Sequence, residues 1–141
     1  MEKTKVMAYF SLFGDSFPLE KATKKLGITP TKTYKKGDRI RDLSITRKVT
    51  CWDLSTDYQE SFDVNEQLDQ IIKQIQEKDS IINEIRKTYS VECKFTIVII
   101  IEEGYTPALY LNNEVIKFAS SIDAEFDIDL YANPYIDDMD Y

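Results

Sequence analysis

One stretch of the chain, residues 91–102 with the sequence VECKFTIVIIIE, constrains the fold more than any other because it is the most apolar segment. Its β-branched residues favour an extended backbone. With a period of two, alternate residues from Val91 to Ile101 share one apolar face, and the other face turns apolar from Val98 onwards. Such a pattern is typical of a strand inside a sheet, covered at least in part on both sides.

The length of the chain, 141 residues, suits one domain that buries its own core. We expect a single domain over residues 1–133 and an acidic C-terminal tail over residues 134–141. No apolar run approaches the roughly 20 residues that a membrane helix requires, so we expect a cytoplasmic protein with no membrane partner. Cys51 and Cys93 lie in predicted strands, where cysteine usually acts as a small buried apolar residue.

Alternation and helical spacing divide the chain into nine elements in the order β-α-β-β-α-β-β-α-β. The predicted strands cover residues 3–12, 28–34, 45–55, 91–102, 108–111 and 124–131. The predicted helices cover residues 19–26, 63–89 (as two helices or one kinked helix) and 113–122. The first six elements match a ferredoxin-like βαββαβ core, which a β-α-β unit extends. We therefore predict an α+β fold, with an antiparallel or mixed sheet and helices on one face.

Local signals place several element ends and faces. Gly27 is suited to end the first helix in a left-handed conformation. Asp63 and Glu66 have the spacing of a capping box, and Asn112 or Asn113 is placed to cap the last helix. Pro30 predicts that the second strand lies at a sheet edge, because proline cannot donate to the ladder. In the last strand, three apolar residues are predicted to point inward: Phe126, Ile128 and Leu130.

Five short segments occur in order along the chain: AYFSLFGDSFP, KKLGITPT, KKGD, CWDLST and DIDLY. Together they resemble the bacterial domain of unknown function 4279 family. The matching positions are Phe10, Gly14, Leu26, Gly27, Pro30, Gly37, Asp38, Trp52, Asp129 and Tyr131. The resemblance covers nearly the whole chain and implies one domain in a bacterial cytoplasmic setting. It implies no activity, because the family is named for having none assigned.

The chain has no histidine, so the commonest general base and the commonest metal ligand are missing. Ser-His-Asp and Cys-His nucleophile systems are thereby excluded, and no glycine-rich phosphate motif occurs. We predict no catalytic residue, no metal ligand and no cofactor. Asp127 and Asp129 share a strand face and could hold Mg²⁺ with Asp123 or Asp137, but a solvated strand face carries the same alternation.

Charge is spread unevenly: residues 1–50 carry twelve Lys or Arg against five Asp or Glu, whereas residues 119–141 carry none against seven. The basic segment 32–48, with Tyr34 inside it, has the composition of single-stranded nucleic-acid sites. The net charge of −7 would repel a phosphate backbone. We therefore interpret this segment as a solvated loop and expect no nucleic-acid partner.

Aromatic residues in the predicted strands suggest a ligand-binding sheet face. The candidate ligand-binding residues are Trp52, Tyr9, Tyr110 and Tyr131. For Trp52 the competing interpretation is a place in the core. The period-two pattern does not decide whether the four share a face, because it leaves the strand register open.

Size and acidity favour a non-enzymatic protein-binding module, with an immunity or inhibitor protein as one form of it. The partner is predicted to be another protein or a second copy in a homodimer. Two alternatives stay open at this point. One is a small-molecule-binding domain that uses the aromatic sheet face. The other is a metal-assisted hydrolase that uses the C-terminal aspartates.

Overall fold

A computed structural model describes residues 2–133; the predicted acidic tail, 134–141, lies outside the described residues. The strands are β1 (Lys5–Gly14), β2 (Lys32–Tyr34), β3 (Thr50–Ser55), β4 (Gln59–Glu60), β5 (Glu92–Ile101) and β6 (Glu125–Ala132). The helices are α1 (Leu19–Leu26), α2 (Asn65–Ile75), α3 (Asp79–Tyr89) and α4 (Asn113–Ser121). No helix within residues 2–133 is long and apolar enough to cross a bilayer.

The strands form one mixed sheet in the order β2-β3-β1-β5-β6, with β4 beside the start of β1. All pairs are antiparallel except β5 and β6, which run parallel. The prediction of a mixed α+β fold is confirmed, and so is the interior position of the apolar strand, since β5 lies between β1 and β6. Its second face is covered in part, because Val98 is 6% exposed.

One face of the sheet carries Phe10, Trp52 and Phe95, and the helices pack there; we call it the helix face. The indole nitrogen of Trp52 donates a hydrogen bond of 2.9 Å to Thr23 Oγ1 of α1. Phe118 of α4 packs edge-on against Phe95, with ring centroids 6.5 Å apart. The apolar residues of α2 and α3 belong to the same buried core. The opposite face, on which β1 carries Met7 and Tyr9, we call the open face.

Several predicted element bounds are wrong, and the hydrogen bonds show why. Residues 108–111 form no strand, because Ala108 makes a single bridge with Asp63 and otherwise bonds to the start of α2. The strand predicted from residue 45 begins at Thr50, since the preceding residues close a loop through the bridge from Arg39 to Thr46. The second strand starts at residue 32 and does lie at the sheet edge.

The helix signals were right at three places and wrong at one. Gly27 has φ +68°, the predicted break separates α2 from α3, and Asn112 Oδ1 accepts from the backbone of Val115 at 3.0 Å. The capping box does not form. Ser61 Oγ donates to the carboxylate of Glu66 at 3.3 Å. Asp63 Oδ1 accepts from the backbone N–H of Asn65, two residues further on, instead of from that of Glu66.

Candidate functional site

β6 is the longer of the two strands that bound the sheet, with eight residues against three in β2. Within residues 2–133 it pairs with β5 alone. Every second backbone N–H and C=O group of β6 therefore points away from the sheet. We call this strand, with both rows of its side chains, the β6 edge.

The side chains of the β6 edge alternate between acidic and apolar. Glu125, Asp127 and Asp129 lie on the open face, beside Lys94, Thr96 and Val98 of β5. Glu125 and Asp127 are exposed and Asp129 is half-buried, and Lys94 Nζ lies 3.7 Å from the Asp127 carboxylate. Residues 119–133 contain no Lys or Arg, so the surface here is acidic.

The apolar row of the β6 edge was predicted to point inward. Its three residues do lie on the helix face, but two of them are not buried there. Phe126 is half-buried and stacks on Phe95, with ring centroids 5.3 Å apart. Ile128 is 41% exposed and Leu130 is 58% exposed. The helix face is covered only in part at this edge because α4 is shorter than β6. The nine residues of α4 span about 14 Å, whereas β6 spans about 26 Å.

A second group of polar side chains lies on the open face around Asp53 of β3. Ser11 Oγ donates to Asp53 Oδ1 at 2.6 Å, and Cys51 Sγ donates to the same oxygen at 3.0 Å. Burial, together with the Asp53 carboxylate, raises the pKa of the Cys51 thiol to about 12. The thiol therefore stays protonated near neutral pH, and it is not an activated nucleophile.

Tyr34 and Arg47 border this polar group. The Arg47 guanidinium lies 4.1 Å from the centroid of the Tyr34 ring, and Lys32 Nζ lies 5.9 Å from it. Burial raises the pKa of Tyr34 and of Tyr9. These side chains surround a cavity of about 490 Å³. It is lined by Met7, Tyr9, Thr31, Lys32, Tyr34, Arg47, Asp53 and Ser55.

The basic segment 32–48 closes a loop on itself after β2, and most of its residues are exposed. Besides the contact of Arg47 with Tyr34, Lys36 forms an ion pair with Asp15, and Arg47 donates its backbone N–H to Asp38 at 2.8 Å. A wide cavity of about 1000 Å³ lies beside it, with Lys21, Lys35 and Lys36 in its lining. The absence of a nucleic-acid partner stays a prediction.

The structure separates the four predicted ligand-binding residues. Tyr9 and Tyr131 lie on the open face. Trp52 is fully buried on the helix face, as the core interpretation predicted. Tyr110 lies outside the sheet, 56% exposed, with its carbonyl accepting from Asn65 at 3.0 Å. The four therefore do not form one aromatic surface.

The residues that line the open-face cavity, above all Tyr34, Arg47 and Asp53, were not predicted as a site. The period-two alternation of each strand assigns Tyr34 to one face of its own strand and Asp53 to one face of its own strand. The register of β2 against β3, which aligns Tyr34 with Cys51 and Lys32 with Asp53, does not follow from that alternation.

The two cysteines are buried and free, and they lie on opposite faces of the sheet. Cys93 is opposite Leu12 on the helix face, where its Sγ donates to the Ile122 carbonyl at 3.2 Å. Cys51 is opposite Phe13 on the open face. The prediction of buried structural thiols is confirmed, and the sheet between them prevents a disulfide.

The aspartates proposed for Mg²⁺ binding are spread out. Asp127 and Asp129 lie on the β6 edge, whereas Asp123 Oδ2 accepts from Arg86 at 3.3 Å; Asp137 lies outside the described residues. Residues 2–133 contain no group of three or more acidic or cysteine side chains placed to hold a metal ion. Metal binding by the C-terminal aspartates stays a prediction.

A family model described as domain of unknown function (DUF4279) matches residues 2–133. No curated protein and no solved structure matches the chain.

Proposed function

The chain belongs to the DUF4279 family, and because that description assigns no activity, we propose a function from the surfaces of the chain itself. It is a non-enzymatic domain that binds a protein with a basic surface through the β6 edge. In a bacterial cytoplasm, an immunity or inhibitor protein that blocks a basic toxin would have this property. The observation that carries the proposal is the exposure of Ile128 and Leu130 on a strand whose alternate residues are acidic, with Asp127 exposed and Asp129 half-buried.

The acidic row supplies steering and specificity. Glu125, Asp127 and Asp129 project from one face of one strand, so their fields add over a surface about 14 Å long. Such a row accelerates the encounter with a basic partner and disfavours acidic ones. Lys94 lies near Asp127, which leaves the negative charge at Glu125 and Asp129 available to a partner.

The apolar row supplies the contact that excludes water. Exposed Ile and Leu side chains next to each other on a strand are typical of a binding surface rather than of a solvated edge. Burying Ile128 and Leu130 under a partner would contribute about 25 cal/mol for each Å² of apolar surface removed from water. The two rows together give an interface with an apolar centre and a charged rim.

Photo-crosslinking in the host cell tests the proposal. A photoreactive amino acid is placed at position 128, at position 130 and, as a control, at the exposed position 24 on α1. We expect one and the same protein to be attached from 128 and from 130 but not from 24. The yield should fall in the D127N/D129N double variant and persist in D57N/D69N, which changes two exposed acids elsewhere. Equal yields at all three positions would contradict the proposal.

A homodimer is the alternative partner. Attachment of a second copy from positions 128 and 130 would identify it. The acidic row disfavours it, because two copies paired along β6 would bring like charges together.

We also propose that β1, α1, β2, β3, the α2–α3 pair and β5 form a ferredoxin-like core, which α4 and β6 extend. In support, β3 lies between β1 and β2 and is antiparallel to both, while β5 lies on the other side of β1. This is the arrangement of a split β-α-β unit. Fold comparison of an experimental structure with ferredoxin-like domains tests it.

The open-face cavity favours a second candidate function, the binding of a small molecule. Its volume of about 490 Å³ lies within the range of ligand sites, about 300–1,000 Å³. Tyr9 and Tyr34 would contact an aromatic ring, while Arg47 and Asp53 would contact an acidic and a basic group. Saturation-transfer NMR with free L-tyrosine tests this candidate: a signal that R47Q abolishes and K24Q preserves supports it, and no signal at millimolar ligand contradicts it.

Metal-assisted hydrolysis by Asp127 and Asp129 is a third hypothesis. It requires that Mg²⁺ or Mn²⁺ binds and that D127N/D129N abolishes the binding. Calorimetric titration of the metal into both proteins tests it, and an absence of binding heat to the wild type would remove it.

A further inference from the structure

We infer that the β6 edge binds its partner by strand pairing, and that the partner segment is extended, with Lys or Arg at every second residue and apolar residues between them. This inference rests on the proposed protein-binding function and specifies the partner. Three observations carry it: the outer backbone edge of β6, which residues 2–133 leave unpaired, the absence of lysine, proline and bulges from this strand, and the strict alternation of its side chains.

The backbone of β6 is regular, and among residues 2–133 only β5 pairs with it. Its register with β5 runs without a slip from Lys94 and Glu125 to Ile101 and Ala132, so no bulge twists the edge away from a partner. The outward N–H and C=O groups form a template for one more strand. An added strand supplies main-chain hydrogen bonds, while its alternate side chains supply specificity.

The opposite edge of the sheet shows what protection looks like in the same molecule. β2 has only three residues, contains Lys32 and follows Pro30. Short length, lysine and proline are among the features by which proteins prevent strands from pairing at an edge. β6 has eight residues and contains neither lysine nor proline. Its acidic row excludes acidic strands and further copies of the chain but not a basic strand.

The side-chain pattern fixes the chemistry of the partner. Directly opposed residues on neighbouring strands point to the same face of the sheet. Residues opposite Asp127 and Asp129 would thus lie on the open face, and basic side chains there would pair with the carboxylates. Residues opposite Ile128 and Leu130 would lie on the helix face, where apolar side chains would cover the exposed surface.

Three synthetic peptides test the inference. The first is acetyl-Lys-Val-Lys-Val-Lys-Val-Lys-amide. In the second, proline replaces the central valine, which keeps the charge but removes a backbone donor and fixes φ. In the third, glutamate replaces every lysine. Binding to the ¹⁵N-labelled chain is followed by the amide chemical shifts of residues 125–132.

We expect the first peptide to bind with shifts concentrated in β6, the proline peptide to bind at least tenfold more weakly, and the glutamate peptide not to bind. The D127N/D129N variant should bind the first peptide at least tenfold more weakly, whereas the D57N/D69N variant should bind it with unchanged affinity. Equal affinity of the valine and proline peptides would overturn strand pairing, because charge alone would then explain the binding.

The failures of the two proposals are distinguishable. If cross-links form from positions 128 and 130 but none of the peptides shifts the β6 amides, strand pairing is overturned and the protein-binding function stands. If no specific cross-link forms and no peptide binds, both are overturned.

Discussion

Ile128 lies directly beside Ile97 in the parallel ladder of β6 and β5, yet Ile97 is fully buried and Ile128 is 41% exposed. The two side chains point to the same face of the sheet. The difference arises because the helices cover β5 along its length, whereas α4 is too short to cover β6. The border between the core and the proposed binding surface thus runs between these two isoleucines.

This border predicts unequal costs of substitution. Ile97→Ala should lower the free energy of unfolding by about 2–5 kcal/mol, as for buried isoleucines elsewhere. Ile128→Ala should cost less than about 1 kcal/mol, because most of its contact with the core is missing already. Urea unfolding of both variants measures the difference. Equal losses would mean that Ile128 belongs to the core and would weaken the case for a surface role.

A second prediction concerns Trp52 and its acceptor on α1. Thr23→Val keeps the shape of the side chain but leaves the fully buried indole N–H without its bond to Thr23 Oγ1. We expect a loss of about 1–3 kcal/mol in the free energy of unfolding. Thr33→Val, at an exposed position, is the matched control and should change it little. No difference between the two variants in urea unfolding would contradict this account of how α1 is held.

The thiol of Cys51 provides a prediction in alkaline solution. Burial and Asp53 raise its pKa from 9.0 to about 12, so the folded chain holds this proton more tightly than the unfolded chain. The thiol's contribution to stability is complete below pH 9 and is lost as pH rises towards 12. Accordingly, iodoacetamide at pH 8.5 should modify Cys51 much more slowly in the folded chain than in urea. Rapid modification of the folded chain, read by peptide mass spectrometry, would show that the thiol is not buried.

The acidic row should also keep copies of the chain apart. Neutralising it with E125Q/D127N/D129N removes the repulsion between two β6 edges and leaves an exposed apolar edge. We expect the wild type to sediment as a monomer at micromolar concentration, whereas the triple variant self-associates. D57N/D69N/E77Q carries the same change of charge at exposed positions elsewhere and should stay monomeric. If both triple variants associate equally, net charge rather than the β6 edge controls solubility.

The sequence predicted those parts of the fold that depend on local chemistry. The alternation in residues 91–102 located β5, and the left-handed preference of glycine placed Gly27 at the end of α1. The pair Asn112 and Asn113 marked the start of α4, where Asn112 is the cap. In each case the deciding contacts lie within a few residues along the chain.

Features that depend on distant contacts were not predictable in this way. Trp52 and Tyr9 are aromatic residues on neighbouring strands, but the register of β1 against β3 places them on opposite faces. The exposure of Ile128 and Leu130 depends on how far α4 reaches across the sheet. The apolar sequence of residues 108–111 resembled a strand, yet Pro107 and the bonds of Ala108 to the start of α2 keep it out of the sheet.

Amide hydrogen exchange in the complex with the cross-linked partner tests the central claim most directly. If the β6 edge is the binding surface, the amides of residues 125–132 should become protected in the complex, while those of residues 32–34 in β2 should exchange as in the free chain. Protection confined to β2, or to the helices on the other side of the core, would contradict the account.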